Sequence, residues 1–278
     1  MKRLLLATCT VLFSLSAATV SAADMKIRIG VEGAYPPFSE VSPEGELQGF
    51  DIDIANALCA ELNAECTLVQ QDWDGIIPAL MARKYDAIIA SMSITPERKE
   101  KVDFTNKYYN TPARFIAPKG TEITFLLEGD ENGTVTDETK VKFNTEALAG
   151  KSIGVQRATI HDKFLTDVFG DSVDIKRYGT QDEVYLDLQS GRIDLAVQDS
   201  VAALDGFLDR EEGQGFQFIG PSFSIPKWHG DGAGIAVRKG DDELREALNR
   251  AIDAVRASGE YQKIQEKYFD FDIYGGES

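Results

Sequence analysis

Apolar and polar positions along this chain follow two alternating periods. Short runs such as KIRIGV, CTLVQ and DAIIA read as buried strands, whereas DIDIANALCAEL, WDGIIPALMARK and PERKEKV read as amphipathic helices. Strands alternating with helices predict an α/β fold, with mostly parallel sheets flanked by helices. Near the end, GAGIAVRKG is followed by two helical stretches, DDELREALNRAIDAVRAS and EYQKIQEKYF, parted by Gly259.

The pattern occurs twice. PALMARKYDAIIAS and LDLQSGRIDLAVQD share a helix end, a basic residue, an aspartate and an apolar strand, which sets Ser91 opposite Asp199. IGVEGAY and IGVQRAT each give a strand and a turn, which sets Glu32 opposite Gln156. Two echoes in the same order predict two lobes on one plan. Ligands of open α/β sheets sit beyond the carboxyl ends of the strands, and all four echoed positions fall there.

The segment from GAGIAVRKG onward has no partners of its own and is assigned to the first lobe. The chain then crosses between lobes twice, near Asn110 to Arg114 and near Pro221 to Gly232, as a hinge requires. The predicted organisation is 23–111 with 230–278 in lobe 1 and 112–229 in lobe 2. An acidic insertion at about 120–149, punctuated by Asn132-Gly133, reads as a surface hairpin. Its glycine and glutamate spacing does not match a calcium loop.

Residues 1–22 begin with Lys2 and Arg3, run apolar from Leu4 to Leu15 and end in small residues, the layout of a secretory signal peptide cleaved near Ala22 or Ala23. The apolar run is shorter than the roughly 20 residues of a membrane span. An exported, soluble mature chain of roughly 256 residues follows, more than one core usually serves.

A formal net charge of −17 argues against nucleic acid or anionic lipid as partner, and fits either a cationic small ligand or plain solubility. Past the leader only Cys59 and Cys66 remain, an even pair that reads as one disulfide in an exported chain. With only His161 and His229 as histidines, a metal site on that pair is not expected.

Candidate chemistry concentrates in ASMSITPERKEKVDF, Ala90 to Phe104. Ser91 and Ser93 share a face of an extended segment, and Thr95-Pro96 is a favourable helix start. Arg98, in the first turn, opposes the helix dipole. It either serves an anion that also uses free backbone N–H groups, or pairs on the surface with Glu97 or Glu100. A carboxylate fits the first role, because arginine holds it through two parallel hydrogen bonds.

Asp199 ends the strand DLAVQ, where it can accept from an ammonium group, cap the next helix, or do both. Arg98 and Asp199 together complement a zwitterion, an α-amino acid. Tyr35 in GAYPPF and Trp73 in QDWDG are loop aromatics that either pack or sandwich a flat cation, at roughly 0.5–2 kcal/mol per ring. Glu32 would supply the counter-charge at the tip.

The segments RIGVEGAYPPF, GELQGFDIDIANALC, WDGIIPAL, DAIIASMSITPER, VDFTNKYY, GRIDLAVQDSVAALDGFL and KYFDFDIYG span nearly all of the mature chain. In combination they resemble the periplasmic lysine/arginine/ornithine- and histidine-binding proteins of polar amino-acid ABC importers, most of all the arginine/ornithine binders. The resemblance implies a two-lobed type II periplasmic binding fold with two hinge crossings. It also implies a cationic amino acid as ligand, a membrane permease as partner and no cofactor, and the chain is expected to be a monomer.

The resemblance further implies roles for individual residues. Arg98, Ser93 and the backbone N–H of Ile160 would hold the α-carboxylate. Asp199, Ser93 and the carbonyl of Ser91 would hold the α-ammonium. Tyr35 and Trp73 would sandwich the side chain, and Glu32 would meet its distal cation with Gln156 nearby. The family's disulfide falls on Cys59 and Cys66.

Three positions depart from the lysine/histidine-type pattern: Glu32 replaces an aspartate, Ala90 a serine that helps bind the side chain, and Ile160 a threonine. The acidic insertion is also longer. Glu32, Ala90 and Trp73 resemble the opine binders too, whose ligands are bulkier arginine derivatives. Two further classes stand beside these. A periplasmic dehydratase-like enzyme would need a general acid or base, for which Glu32 is the unassigned carboxylate. A sensor domain ranks below it, because the chain stops soon after KYFDFDIYGGES without a membrane segment.

Overall fold

The computed structural model describes residues 25–275, so the expected signal peptide lies outside the described residues. The strands that build the two main sheets are β1 (Met25–Val31), β2 (Ala64–Gln70), β3 (Ala87–Ile88), β4 (Val102–Tyr109), β5 (Ala113–Pro118), β6 (Ser152–Gln156), β7 (Asp174–Tyr178), β8 (Leu195–Asp199), β9 (Phe216–Phe223) and β10 (Ala233–Arg238). The first sheet has the order β2-β1-β3-β10-β4, and the second β9-β5-β8-β6-β7 with Thr134–Val135 outside β9.

Each sheet has a parallel centre, β2-β1-β3 in one and β7-β6-β8 in the other. The strands that arrive from the other half, β5 and β10, run antiparallel to their neighbours. A strand entering from the carboxyl ends of the parallel set can only run the opposite way.

Equivalent residues make equivalent bonds in the two halves. Asp86 accepts the Arg28 backbone N–H at 3.1 Å, and its own N–H donates to the Arg28 carbonyl at 2.8 Å. Asp194 does the same with Ser152, at 2.8 and 2.9 Å. A Cβ on Gly30 would come within 2.6 Å of the Tyr85 ring, and one on Gly154 within 2.3 Å of Ile193 Cδ1. Tyr85 and Ile193 each precede one of those aspartates, so the glycine of each IGV lets the connecting residue lie flat on its strand.

The helices around the cleft are α1 (Phe50–Glu61), α2 (Trp73–Met81), α3 (Pro96–Lys99), α4 (Ile160–Val168), α5 (Gln181–Gln189) and α6 (Ser200–Ala203). No described helix is long and apolar enough to cross a membrane. The first core buries Ile27, Ile29, Phe50 and Ile54 with Leu248, Ile252 and Val255 of the Asp242–Ala257 helix. The carboxyl-terminal helices thus belong with the first sheet. Cys59, near the end of α1, is bonded to Cys66 in β2.

Two expectations are corrected. The helix read in PERKEKV stops after one turn, because VDFTNKYY is rich in β-branched and aromatic residues and forms β4. Asn132-Gly133 does not make a two-residue hairpin turn, since neither residue takes the positive φ which that turn requires. Asp130 instead bonds the Asn132 N–H at 2.9 Å, Thr134–Val135 runs parallel to β9, and the insertion pairs Leu126–Glu128 with Lys142–Phe143.

Candidate functional site

The carboxyl ends of β1, β3, β6 and β8 border one cavity, and all ten residues singled out from the sequence line it. Glu32 follows β1, Trp73 opens α2, and Ala90, Ser91 and Ser93 follow β3 ahead of Arg98 in α3. Opposite them, Gln156 ends β6, Ile160 opens α4 and Asp199 ends β8. Tyr35, in a short strand after β1, completes the set.

Thr95 caps α3 by accepting the Arg98 backbone N–H at 3.2 Å. The Arg98 guanidinium donates to the Ser93 carbonyl at 3.0 Å and lies 5.1 Å from the Trp73 ring centroid. Burial lowers its pKa to about 10, so it remains a cation at neutral pH. Surface pairing does not explain it: Glu97 lies 3.8 Å from Lys163, and among the described residues no ion pair engages Arg98.

Asp199 is buried, lines the cavity and takes the capping role. Its Oδ1 accepts the N–H groups of Val201 and Ala202 at 2.9 and 3.1 Å, capping α6, and its Oδ2 accepts the Thr111 hydroxyl. Burial nevertheless raises its pKa to about 6, with these hydrogen bonds pulling the other way. Arg98 and Asp199 therefore bring opposite charges to one cavity, each without an ionic partner among the described residues.

At a third point Glu32, also buried, accepts Gln156 Nε2 at 2.6 Å. Burial pushes its carboxyl up to about 7; the Gln156 bond opposes this, and the nearby Asp51, Asp72 and Asp182 reinforce it. Each aromatic ring has one face committed. Tyr35 stacks on Phe38 with centroids 5.7 Å apart, and Trp73 carries the Arg98 guanidinium.

Several bonds already join the two walls. Besides Gln156 to Glu32, the Tyr35 hydroxyl donates to Gln198 Oε1 at 3.3 Å and the Trp73 indole N–H to the Ala158 carbonyl at 3.2 Å. At the rim, Arg157 Nε lies 2.6 Å from Asp74 Oδ2. The cleft is closed in this structure.

Sequence reading missed Asp51, Tyr108, Thr111, Gln198 and His161. Asp51 is fully buried and bonds Ser91 and Tyr108. The signal was available: Asp51, Ala55 and Leu58 lie at helical spacing on the core-facing stripe of α1, and a carboxylate on an apolar stripe is unusual. His161 is 6% exposed and lines the cavity beside Ile160, with no partner for Nδ1. Burial depresses it to about 3, aided by His229 and Arg98, so it is neutral. Thr111 lies in the crossing between sheets, where no periodic pattern marks it.

The family model for bacterial extracellular solute-binding proteins, family 3, matches residues 27–271. An L-arginine-binding protein of Pseudomonas aeruginosa is 48% identical over 276 residues, 99% of each chain. A histidine-binding periplasmic protein of Escherichia coli K12 is 41% identical over 278 residues, 99% of this chain and 100% of that one. A solved structure of a Salmonella typhimurium periplasmic binding protein with high arginine specificity superposes with a TM-score of 0.75 at 32% identity, covering 88% of this chain and 99% of that one.

Proposed function

Because this chain belongs to the bacterial extracellular solute-binding proteins of family 3, we propose that it captures a cationic L-amino acid in the periplasm and delivers it to the permease of an ABC importer. Arginine or ornithine is the first-ranked ligand, ahead of lysine and histidine. The observation that carries this reading is the pair of unmatched opposite charges, Arg98 and Asp199, on one closed cavity with the Glu32 carboxyl at a third point.

In the proposed complex Arg98, Ser93 and the Ile160 N–H hold the α-carboxylate. Asp199 meets the α-ammonium, and Glu32 meets the distal cation between Tyr35 and Trp73. Closure about the crossings near residues 110–114 and 221–232 draws Gln156, Ile160 and Asp199 onto a ligand first held by the other lobe. A ligand shifts open and closed populations only through such differential contacts.

A second reading, an opine ligand, draws on Ala90, which adds no bulk to the wall. The Gln156–Glu32 bond weighs against it, because it shuts the distal end that a larger ligand would need. Calorimetry with arginine, ornithine, lysine, histidine, citrulline and octopine tests both. Arginine or ornithine should bind tightest and citrulline poorly. Preference for octopine would replace the first reading with the second, and preference for a neutral or acidic amino acid would overturn both.

A further inference from the structure

We propose that Asp51 and Tyr108 are positioning residues for the bound amino acid: they clamp Ser91 in the backbone conformation that offers its carbonyl oxygen, rather than its hydroxyl, to the ligand. The inference rests on reading the cleft as an amino-acid site.

Ser91 borders the cavity with φ 53°, in the left-handed region that favours glycine. Three hydrogen bonds hold it there. Its hydroxyl donates to Asp51 Oδ2 at 2.9 Å, its backbone N–H donates to the Tyr108 hydroxyl at 3.1 Å, and that hydroxyl donates to Asp51 Oδ1 at 2.8 Å. The ring closes on itself, with both carboxylate oxygens occupied. Asp51 and Tyr108 are fully buried, and neither borders the cavity.

The hydroxyl of Ser91 therefore points into the wall, and so does its N–H. What remains for a ligand is the carbonyl, whose direction depends on the clamp. A glycine would adopt this φ freely but would also leave it freely. A serine tied to a buried carboxylate gives a fixed acceptor, which suits an ammonium group that must be matched in direction as well as charge. The ring is anchored in turn through Phe50, the residue before Asp51, whose ring stacks on Tyr108 with centroids 6.4 Å apart. An ordinary core aspartate needs partners for its own sake. This one takes one partner, the Ser91 hydroxyl, from a residue of positive φ that borders the cavity, and its other partner, Tyr108, holds the N–H of that same residue; backbone strain of this kind clusters at functional positions.

The test compares Asp51→Asn, Tyr108→Phe and the double variant with the parent chain. Calorimetry gives arginine affinity, and hydrogen exchange on the ligand-free protein follows the Ser91 amide. Each single variant should weaken arginine binding at least tenfold and speed Ser91 amide exchange. The double variant should lose no more affinity than the worse single variant, because both break one ring. Wild-type affinity in variants whose Ser91 amide exchanges faster would overturn the proposal. So would unaltered exchange at Ser91, or affinity losses that add. A merely structural role would lower the melting temperature and leave the affinity of the folded protein intact. If the parent chain binds no amino acid, the reading of the cleft fails, while exchange in the empty protein still decides the clamp.

Discussion

Asp199→Asn removes one negative charge from the cleft while keeping an amide oxygen where α6 needs an acceptor. Truncating one partner of a buried, hydrogen-bonded charge pair costs about 2–5 kcal/mol, largely because the other charge is left buried and unmatched. Here the carboxylate already receives two backbone N–H groups and the Thr111 hydroxyl, so its charge is shared before any ligand arrives. That places the loss in the lower half of the range, about 2–3.5 kcal/mol, or roughly 30- to 300-fold in arginine affinity. Asp199→Ala should lose at least as much affinity and also remove the α6 cap, at about 0.5–2 kcal/mol of stability. Calorimetry on both variants, with ligand-free thermal unfolding, separates the effects. Arginine binding by Asp199→Asn within threefold of the parent would refute the assignment of the ammonium to this carboxylate.

Arginine affinity should rise between about pH 5 and pH 8, because burial holds Asp199 at about 6 and Glu32 at about 7 in the empty protein and the proposed ligand requires both ionised. The contribution of these two groups to ligand-free stability has the opposite sign. Their folded pKa values lie above the ordinary carboxylate range, so that contribution is full below this range and is lost as pH rises through about 6 to 7. Calorimetry in buffers of different ionisation enthalpy should detect proton release on binding near pH 6, and a flat profile would contradict it. Glu32→Gln should cost arginine roughly 10- to 100-fold in affinity and citrulline little, measured by competition; equal losses for both would move the distal cation elsewhere. Reducing Cys59–Cys66, whose sequence separation is 7, should cost about 2.5 kcal/mol of stability by denaturant titration. Arginine affinity should not change, because Cys66 lies towards the start of β2, away from the strand ends that form the cleft.

Much of this site was legible because its residues occupy places that local pattern defines. Glu32 and Gln156 stand at the ends of two like strands, and Ser91 and Asp199 at the ends of two others, so an echo in sequence becomes opposition across a cavity. Arg98 was legible as an oddity, a cation in the wrong turn of a helix. Asp51 was overlooked although its helical register sets it on the apolar stripe of α1, because the same DIDI run that marks a helix start supplies two aspartates; Asp53, off that stripe, pairs with Lys267 at 2.9 Å. Tyr108 and Thr111 escaped notice because their partners, Asp51 and Asp199, lie 57 and 88 residues away. The Asn132-Gly133 turn failed for a related reason: Thr134–Val135 pairs with β9, an attraction invisible to a two-residue motif.

The second lobe hangs from one seam. β4 sends the chain out at Tyr109 and β10 receives it back at Ala233, and these two residues are register partners in the same sheet. Both straps therefore leave the first sheet from a single spot, side by side. The seam is stitched to the pocket wall as well: Ser93 bridges Ala233, and the Ile94 N–H donates to the Gly232 carbonyl at 2.8 Å. A group seated against Ser93 would thus rest on the same stretch of backbone that receives the returning strap.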